Sequence, residues 1–312
     1  MLNYLRSMHS PIQVSKAHTF TGHRDSVYTL QLANEPHLFF SGAGDGLVVL
    51  WDLKNLGDGD LIAQLPNSVY AIHHLTKKNL LVVGQNYSGI HLIDYQNKKE
   101  IASLQITPSA IFDIQSFEDD LIIATGDGAI IVVDFEKWTV KKKITPSEKS
   151  ARAMAINASR GEVAIGFSDH FVRVFSLKDF QLKHEFKAHE NSVFALTYTP
   201  DQKFLISGAR DARLKVWDAQ SNYNLAEEVV AHMYAINHIT FSPNGTNFST
   251  CSMDKSIKIW SSEDLKLLKV IDKGRHAGHG TSVNKLLWTP FNNMLVSASD
   301  DRSISAWDLL FL

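Results

Sequence analysis

The chain has 312 residues, of which 44% are hydrophobic and 21% charged, and its formal net charge is −2. This balance excludes the strongly basic field that drives nucleic-acid binding through phosphate neutralisation. Cys251 is the one cysteine, which excludes an intrachain disulfide, and no stretch approaches the ~18 apolar residues of a membrane span. Because the N-terminal segment also lacks the apolar run of a signal peptide, we expect a soluble cytoplasmic protein.

In chain order, a tail of residues 1–11 precedes a strand predicted over residues 12–20. A histidine, a Ser or Thr, an aspartate and a tryptophan then recur four times with gaps of 18, 4 and 6 positions. These four tetrads are His23/Ser41/Asp45/Trp51, His189/Ser207/Asp211/Trp217, His232/Thr250/Asp254/Trp260 and His279/Ser297/Asp301/Trp307. A fixed internal period indicates that one supersecondary unit has been copied along the chain.

The tryptophan column predicts seven copies. Its equivalent positions, at intervals of 40 to 47 residues, are Trp51, Ile93, Val133, Phe175, Trp217, Trp260 and Trp307. Each copy contains apolar or alternating runs separated by turn residues; in the fifth copy these are residues 193–198, 204–209 and 214–217, followed by a more polar fourth run. Four strands per ~40 residues are typical of a β-propeller blade.

Gly22-His23 and Gly278-His279, each with Trp-Asp 28 positions after the histidine, resemble the WD-repeat (WD40) family. The resemblance covers roughly residues 12–312. It implies an all-β fold, a single seven-bladed β-propeller of four-stranded antiparallel blades. The seventh copy has no fourth strand of its own, so we expect residues 12–20 to pair with the blade formed by residues 283–308 and close the ring.

A serine, a histidine and an aspartate in one cluster also suggest a hydrolase triad. An active site is normally single, whereas this cluster occurs four times, each time with a tryptophan whose indole N–H needs a buried acceptor. The resemblance implies that each tetrad is a buried, hydrogen-bonded structural chain. In blades two to four the hydroxyl column is apolar, with Val83, Ile123 and Ile165. We therefore predict no catalytic residue, no metal site and no cofactor.

If the tetrads are scaffold, function depends on exposed positions that vary between blades. Five positions after each histidine, where the innermost strands of WD propellers begin at the upper face, stand Tyr28, Tyr70, Ile111, Arg152, Phe194, Asn237 and Asn284. Just before the turn aspartates stand, among others, Asn86, Arg210, Met253 and Asp300. Aromatic residues and arginine dominate binding hot spots, so these positions are our candidate partner-binding residues. The alternative is that some of them plug the channel or stack on neighbouring blades.

The favoured function is a non-enzymatic interaction scaffold, expected to be monomeric by itself, that binds a protein or peptide on its upper face. A propeller enzyme of hydrolase or lyase type acting in the central channel is the first alternative, although the columns at the channel mouth offer few acid/base groups. A nucleic-acid adaptor is a weaker alternative, and it requires Arg152 and Arg210 to join a wider basic patch.

Overall fold

The described residues, 12–312 of this computed structural model, form seven four-stranded antiparallel sheets arranged as the blades of a propeller. The predicted tail, residues 1–11, lies outside the described residues. Within blades one to six the strands follow chain order from the channel outward. The all-β, seven-bladed fold predicted from the repeat is confirmed.

The strand bounds, blade by blade, are these. Blades one and two comprise β2 (Val27–Leu32), β3 (Leu38–Ala43), β4 (Leu47–Asp52), β5 (Asp60–Gln64), and β6 (Val69–Leu75), β7 (Leu80–Gln85), β8 (Gly89–Asp94), β9 (Lys99–Leu104). Blades three and four comprise β10 (Ile111–Phe117), β11 (Asp120–Thr125), β12 (Ile130–Asp134), β13 (Thr139–Ile144), and β14 (Ala151–Asn157), β15 (Glu162–Phe167), β16 (Phe171–Ser176), β17 (Leu182–Lys187). Blades five and six comprise β18 (Val193–Tyr198), β19 (Phe204–Ala209), β20 (Arg213–Asp218), β21 (Asn224–Val230), and β22 (Ile236–Phe241), β23 (Asn247–Ser252), β24 (Ile257–Ser261), β25 (Leu267–Ile271). Blade seven comprises β26 (Val283–Trp288), β27 (Leu295–Ser299), β28 (Ile304–Phe311) and β1 (Ile12–Phe20).

The ring closes through the first and last strands. β1 pairs antiparallel with β28, from Ile12 opposite Phe311 to Phe20 opposite Ile304. The ring of Phe20 is buried against Phe39 and Trp51 of blade one. The predicted closure by the N-terminal strand is therefore confirmed, and it pairs an edge of blade seven that would otherwise be open.

The hydrophobic core consists of seven clusters, each lying between two neighbouring blades of the described chain. Small residues on the second strands allow this close packing. A Cβ added to Gly42 would lie 2.6 Å from Val69 Cγ1, and one added to Gly84 would lie 2.7 Å from Ile111 Cγ2. The first residue of each innermost strand is thus buried against the preceding blade.

Each innermost strand carries a β-bulge at its second residue. The register of β2 against β3 shifts between Val27 and Thr29, and the same shift occurs in the other six blades. A bulged residue is left unpaired and its side chain is aimed differently from those of the regular ladder. The bulges therefore determine which seven side chains point to the channel mouth.

The longest connection between blades, from β25 to β26, contains the short helix α1 (Lys273–His276), and a 3-10 turn occupies Phe291–Asn293. Asp272 caps α1 by accepting a hydrogen bond from the Arg275 N–H. In residues 12–312 there is no helix with the length and apolar character needed to cross a membrane.

Candidate functional site

The tetrads form continuous hydrogen-bond chains. In blade five, Trp217 Nε1 donates to Ser207 Oγ at 2.8 Å, and Ser207 Oγ lies 2.7 Å from His189 Nε2. Because the indole is a donor only, the serine proton is assigned to the bond with His189 Nε2, which leaves His189 Nδ1–H to donate to Asp211 at 3.1 Å. The other three tetrads repeat these contacts within a few tenths of an ångström.

The aspartate of each tetrad is held by more than its histidine. Asp211 also accepts the backbone N–H groups of Glu190 and Arg213. Burial alone would raise the pKa of Asp211, but the hydrogen bond and charge of His189 together with these N–H groups lower its pKa to about 2. Comparable contacts lower the pKa values of Asp254 and Asp301. Each of these aspartates ties two loops of the upper face together.

The aspartate end of each chain departs from the expectation of a buried chain, and Asp45 of blade one illustrates this. Its Oδ1 and Oδ2 lie 3.3 Å and 3.2 Å from His23 Nδ1, whereas the shortest corresponding contact in blades six and seven is 2.9 Å. The shorter bonds to Asp45 come from the backbone N–H groups of Arg24, at 2.7 Å, and Leu47, at 3.0 Å. All four tetrad aspartates, Asp45 included, are half-buried. The carboxylate end of each chain therefore reaches the surface, and in blade one the loop backbone holds Asp45 more closely than the histidine does.

The tetrad hydroxyls are not available for catalysis. Ser41, Ser207, Thr250 and Ser297 are fully buried, and each is already saturated by its tryptophan and histidine. A nucleophile has to approach a substrate carbon, which these buried oxygens cannot do. The geometry supports the structural interpretation of the four sets.

The bulged residues line the mouth of the central channel on the face where the innermost strands begin, which we call the upper face. We name this set the mouth ring, and its members are Tyr28, Tyr70, Phe112, Arg152, Phe194, Asn237 and Asn284. All seven border a cavity of about 780 Å³ that runs into the channel. Six of them belong to the column predicted from the repeat.

Five neighbouring members of the mouth ring contact one another in series. The Tyr28 and Tyr70 rings have centres 4.3 Å apart, and those of Tyr70 and Phe112 are 5.7 Å apart. The Arg152 guanidinium then lies 4.1 Å from the centre of the Phe112 ring and 5.0 Å from that of Phe194. Burial mainly, and the neighbouring hydroxyl of Tyr70 to a lesser extent, raise the pKa of Tyr28 to about 12. Tyr28 is therefore a neutral phenol at physiological pH.

The last two members of the mouth ring are used differently. Asn237 donates to Ser282 Oγ and to the Val283 carbonyl, and Asn284 donates to the Val27 carbonyl. These amides join blade six to blade seven and blade seven to blade one. For these two residues, the structure agrees with the alternative that some candidate partner-binding residues contact neighbouring blades.

Two predicted site residues are misplaced. Ile111 is fully buried against Gly84. Compared with the other blades, blade three lacks residues in the turn between β10 and β11, and the segment ahead of β10 is not shortened. Phe112 and not Ile111 therefore takes the bulge position. Asn86 is buried as well, and its Oδ1 accepts the Ile111 N–H at 3.3 Å. Neither side chain is available to a partner.

Arg210, Met253 and Asp300 lie exposed on the upper face, and Asp300 accepts a hydrogen bond from Asn284. Two neighbours that the sequence pattern did not predict, Met233 and Tyr234, are 82% and 62% exposed. They follow the tetrad residue His232, and the Met253 N–H donates to the Ala235 carbonyl beside them. Large apolar side chains directly after a tetrad histidine were the signal that could have identified them.

A second group that the repeat did not predict lies inside the channel, one position beyond the mouth ring. Here Asp113, His238 and Lys285 stand where the other blades have Thr29 or alanine. All three line the cavity. The other residues of this column are small, so its three titratable residues could have been recognised from the sequence. The prediction used only the column of the mouth ring. Across residues 12–312, no three His, Cys, Asp or Glu side chains gather in a way that could hold a metal ion.

Comparison with known proteins identifies the class. Residues 14–52, 180–218, 225–261 and 271–308 match the family described as WD domain, G-beta repeat (WD40), and these segments contain the four tetrads. The chain is a WD40-repeat β-propeller protein, as the resemblance predicted. The crystal structure of the WD40 beta propeller domain of Doa1 aligns with a TM-score of 0.84 over 95% of this chain and 97% of that one, at 17% sequence identity, which shows the fold alone.

Among relatives, the 66 kDa stress protein of Physarum polycephalum is 26% identical over 212 residues, and the nuclear distribution protein nudF of Emericella nidulans is 22% identical over 326 residues. The matches cover 66% and 95% of this chain but 34% and 62% of the relatives, so the chain spans less than two thirds of either protein. WD40 propellers generally act in protein interactions.

Proposed function

We propose that this protein is a non-enzymatic interaction scaffold that holds a protein or peptide partner on its upper face, around the channel mouth. The observation that supports the proposal best is the unbroken series of contacts across five blades, from Tyr28 through Tyr70, Phe112 and Arg152 to Phe194. These residue types carry most of the energy in protein interfaces.

The contacts within the series also prepare these side chains for binding. Each ring or guanidinium packs on a neighbour from the adjacent blade, while remaining partly exposed at the mouth. Because the side chains are already ordered, a partner loses little of its binding energy to immobilising them. The cavity that they border argues against a plug, since a plugged channel would leave no comparable space.

Exposed apolar residues extend the surface on blade six. Met233, Tyr234 and the 49%-exposed Met253 lie on the loops beside Asn237. Contiguous exposed apolar groups next to polar ones mark interaction sites on soluble proteins. We propose that the partner contacts both this patch and the mouth ring.

The alternatives are less well supported. Among the described residues that line the cavity, Asp113 is the one carboxylate, and it already accepts hydrogen bonds from Met154 N–H and Gln115, whereas acid/base hydrolysis normally needs a paired group. The guanidinium of Arg152 is stacked between two rings, so only a small basic patch with Arg210 remains for nucleic acid.

The test begins with a partner identified by affinity purification and mass spectrometry, whose affinity for the purified chain is then measured. We expect the Tyr28→Ala/Tyr70→Ala/Phe194→Ala variant to bind at least ~10-fold more weakly, because several hot-spot side chains are removed together. The control variant, Ile101→Ala/Leu182→Ala/Leu225→Ala, removes the same number of large apolar side chains from outer strands, where they are more exposed than the mouth-ring residues, and it should bind normally. Full affinity of the first variant would refute binding at the upper face.

A further inference from the structure

Lys285 carries a positive charge into the interior of the propeller. It follows the bulged residue Asn284 on β26 and lines the channel cavity of about 780 Å³. Burial lowers the pKa of Lys285, and the charge of Asp113 opposes this shift. Among residues 12–312, no carboxylate oxygen forms an ion pair with Lys285 Nζ, and its surroundings act on it through burial and charge, not through a hydrogen bond. The side chain is half-buried, so its ammonium group faces the cavity with a positive charge and no protein partner. A partly desolvated ammonium without a countercharge favours binding of an anion.

Asp113 does not supply that partner. Its Oδ2 accepts the Met154 N–H at 2.7 Å and its Oδ1 accepts a hydrogen bond from Gln115 Nε2 at 3.1 Å, so the carboxylate is held toward blade four. Burial raises the pKa of Asp113 against the lowering influence of Lys285. The two charges therefore share the channel without forming a direct pair.

His238 provides a neutral donor at the same level of the channel. Its Nδ1 accepts the Leu286 N–H at 3.3 Å, which assigns the ring proton to Nε2. Burial and the positive charge of Lys285 lower its pKa well below the ordinary value, so the imidazole is uncharged. No side chain or backbone group among the described residues accepts the Nε2–H.

We propose that the channel binds a small carboxylate- or phosphate-bearing molecule, whose anionic group is held by Lys285 and His238. The anion supplies the countercharge that Lys285 lacks and the acceptor that His238 lacks. Asp113 and Gln115, on the other side of the cavity, accept from and donate to the remainder of the ligand. This site lies one position deeper than the mouth ring and does not depend on the proposed function.

The proposal is tested by calorimetric titration of the purified full chain with inorganic phosphate and with citrate, against sodium chloride at equal ionic strength. We expect saturable binding of at least one anion and a matching rise in Tm. Lys285→Met should fold, because it replaces an unpaired charge by an apolar group of similar length, and should bind at least ~10-fold more weakly. His238→Phe should also bind more weakly.

Lys258→Met is the matched control, because Lys258 is a partly buried lysine outside the channel whose Nζ donates to the Ala231 carbonyl. It should bind the anion as the wild type does. Equal binding by Lys285→Met and the wild type, or no binding of either anion, would overturn the proposal. The proposal concerns a free anion, so an acidic side chain that a protein partner inserts into the channel would not count as support for it.

A measurement on the wild type removes any dependence on the folding of the variants. Limited acetylation with acetic anhydride, read by peptide mass spectrometry, reports the accessibility of each lysine amine. Phosphate or citrate at saturating concentration should slow the acetylation of Lys285 several-fold and leave that of Lys258 unchanged. Unchanged labelling of Lys285 contradicts the assigned site.

Discussion

The guanidinium of Arg152 is shared by two rings, lying 4.1 Å from the centre of Phe112 and 5.0 Å from that of Phe194. Burial, together with the nearby charge of Arg210, lowers the pKa of Arg152, and Tyr70 opposes this shift. The three side chains come from blades three, four and five, so this contact couples the mouth ring across two blade boundaries. It also identifies Phe112, and not Ile111, as the exposed residue of blade three.

Ile111 and Phe112 should therefore respond to mutation in opposite ways. Ile111→Ala opens a cavity in the core between blades two and three and should cost about 2–5 kcal/mol of stability. Phe112→Ala removes a partly exposed ring and should cost about 1 kcal/mol through the lost stacking of Arg152. Urea denaturation of the two variants makes this comparison.

Partner affinity supplies the second half of the same comparison. Phe112→Ala should weaken binding, whereas Ile111→Ala should leave the affinity of the folded protein unchanged. The opposite pattern would mean that Ile111 occupies the mouth position.

Ring closure predicts a strong effect at the N-terminus. Deleting residues 1–20 removes β1, exposes the edge of β28 and uncovers the core around Phe20, so the Tm should fall by well over 10 °C. A synthetic peptide of residues 12–20 added in trans should restore part of the loss. Differential scanning calorimetry checks both results, and an unchanged Tm after deletion would contradict closure by this strand.

The tetrads predict a specific cost for removing one hydroxyl. Ser207→Ala leaves Trp217 Nε1 without its acceptor and His189 Nε2 without its donor inside the core, which should lower the free energy of unfolding by about 1–3 kcal/mol. Ile165→Val, at the equivalent apolar position of blade four, should cost about 0.5–1.5 kcal/mol because only one methylene is lost. Chemical denaturation distinguishes the two, and a neutral Ser207→Ala would show that the network is dispensable.

Stability should fall in acid, and the direction follows from the tetrad aspartates. The pKa of Asp211 is about 2 in the folded chain against an ordinary 3.8, so the unfolded chain binds this proton first as the pH falls. The stabilisation is present above pH 3.8 and is lost as the pH falls toward 2. Burial lowers the pKa values of His23 and His232, which adds a loss beginning below pH 6.5.

Asp211→Asn isolates the contribution of one carboxylate to this acid response. The variant should be less stable than the wild type at neutral pH and should lose less stability as the pH falls from 3.8 toward 2. Thermal unfolding at a series of pH values gives both quantities, and parallel curves for the two proteins would assign the acid response to other groups.

The repeat spacing was enough to predict the propeller, the number of blades and the closing strand. Tetrad residues are separated by fixed short distances in the chain, and each blade is built from strands adjacent in sequence, so local pattern and periodicity carry that information. Phe20 also lies where a fourth strand must precede the first tetrad, which made the pairing of β1 with β28 predictable.

Counting along the sequence failed where the backbone geometry changes between copies. Blade three is shorter than the other copies, and its missing residues come from the turn between β10 and β11, so Phe112 and not Ile111 lies at the bulge. The length of a repeat does not reveal whether residues were lost before or after the innermost strand. Asn86 likewise shares a column with exposed residues but is turned inward by its bond to Ile111. Identical spacing also did not reveal that the tetrad aspartates are only half-buried, because the loops of the upper face set their exposure.

The sequence by itself determined the architecture, because the physical cause of a blade is local: alternating strands, short turns and a repeated hydrogen-bond set. Only the tertiary structure decided what the channel contains. Asp113, His238 and Lys285 belong to blades three, six and seven and line one cavity because the ring closes, which places blade three across the channel from blades that lie far along the chain. Their uncompensated charge and free donor exist only in that closed interior, where burial changes the pKa values that an extended chain would leave unaltered.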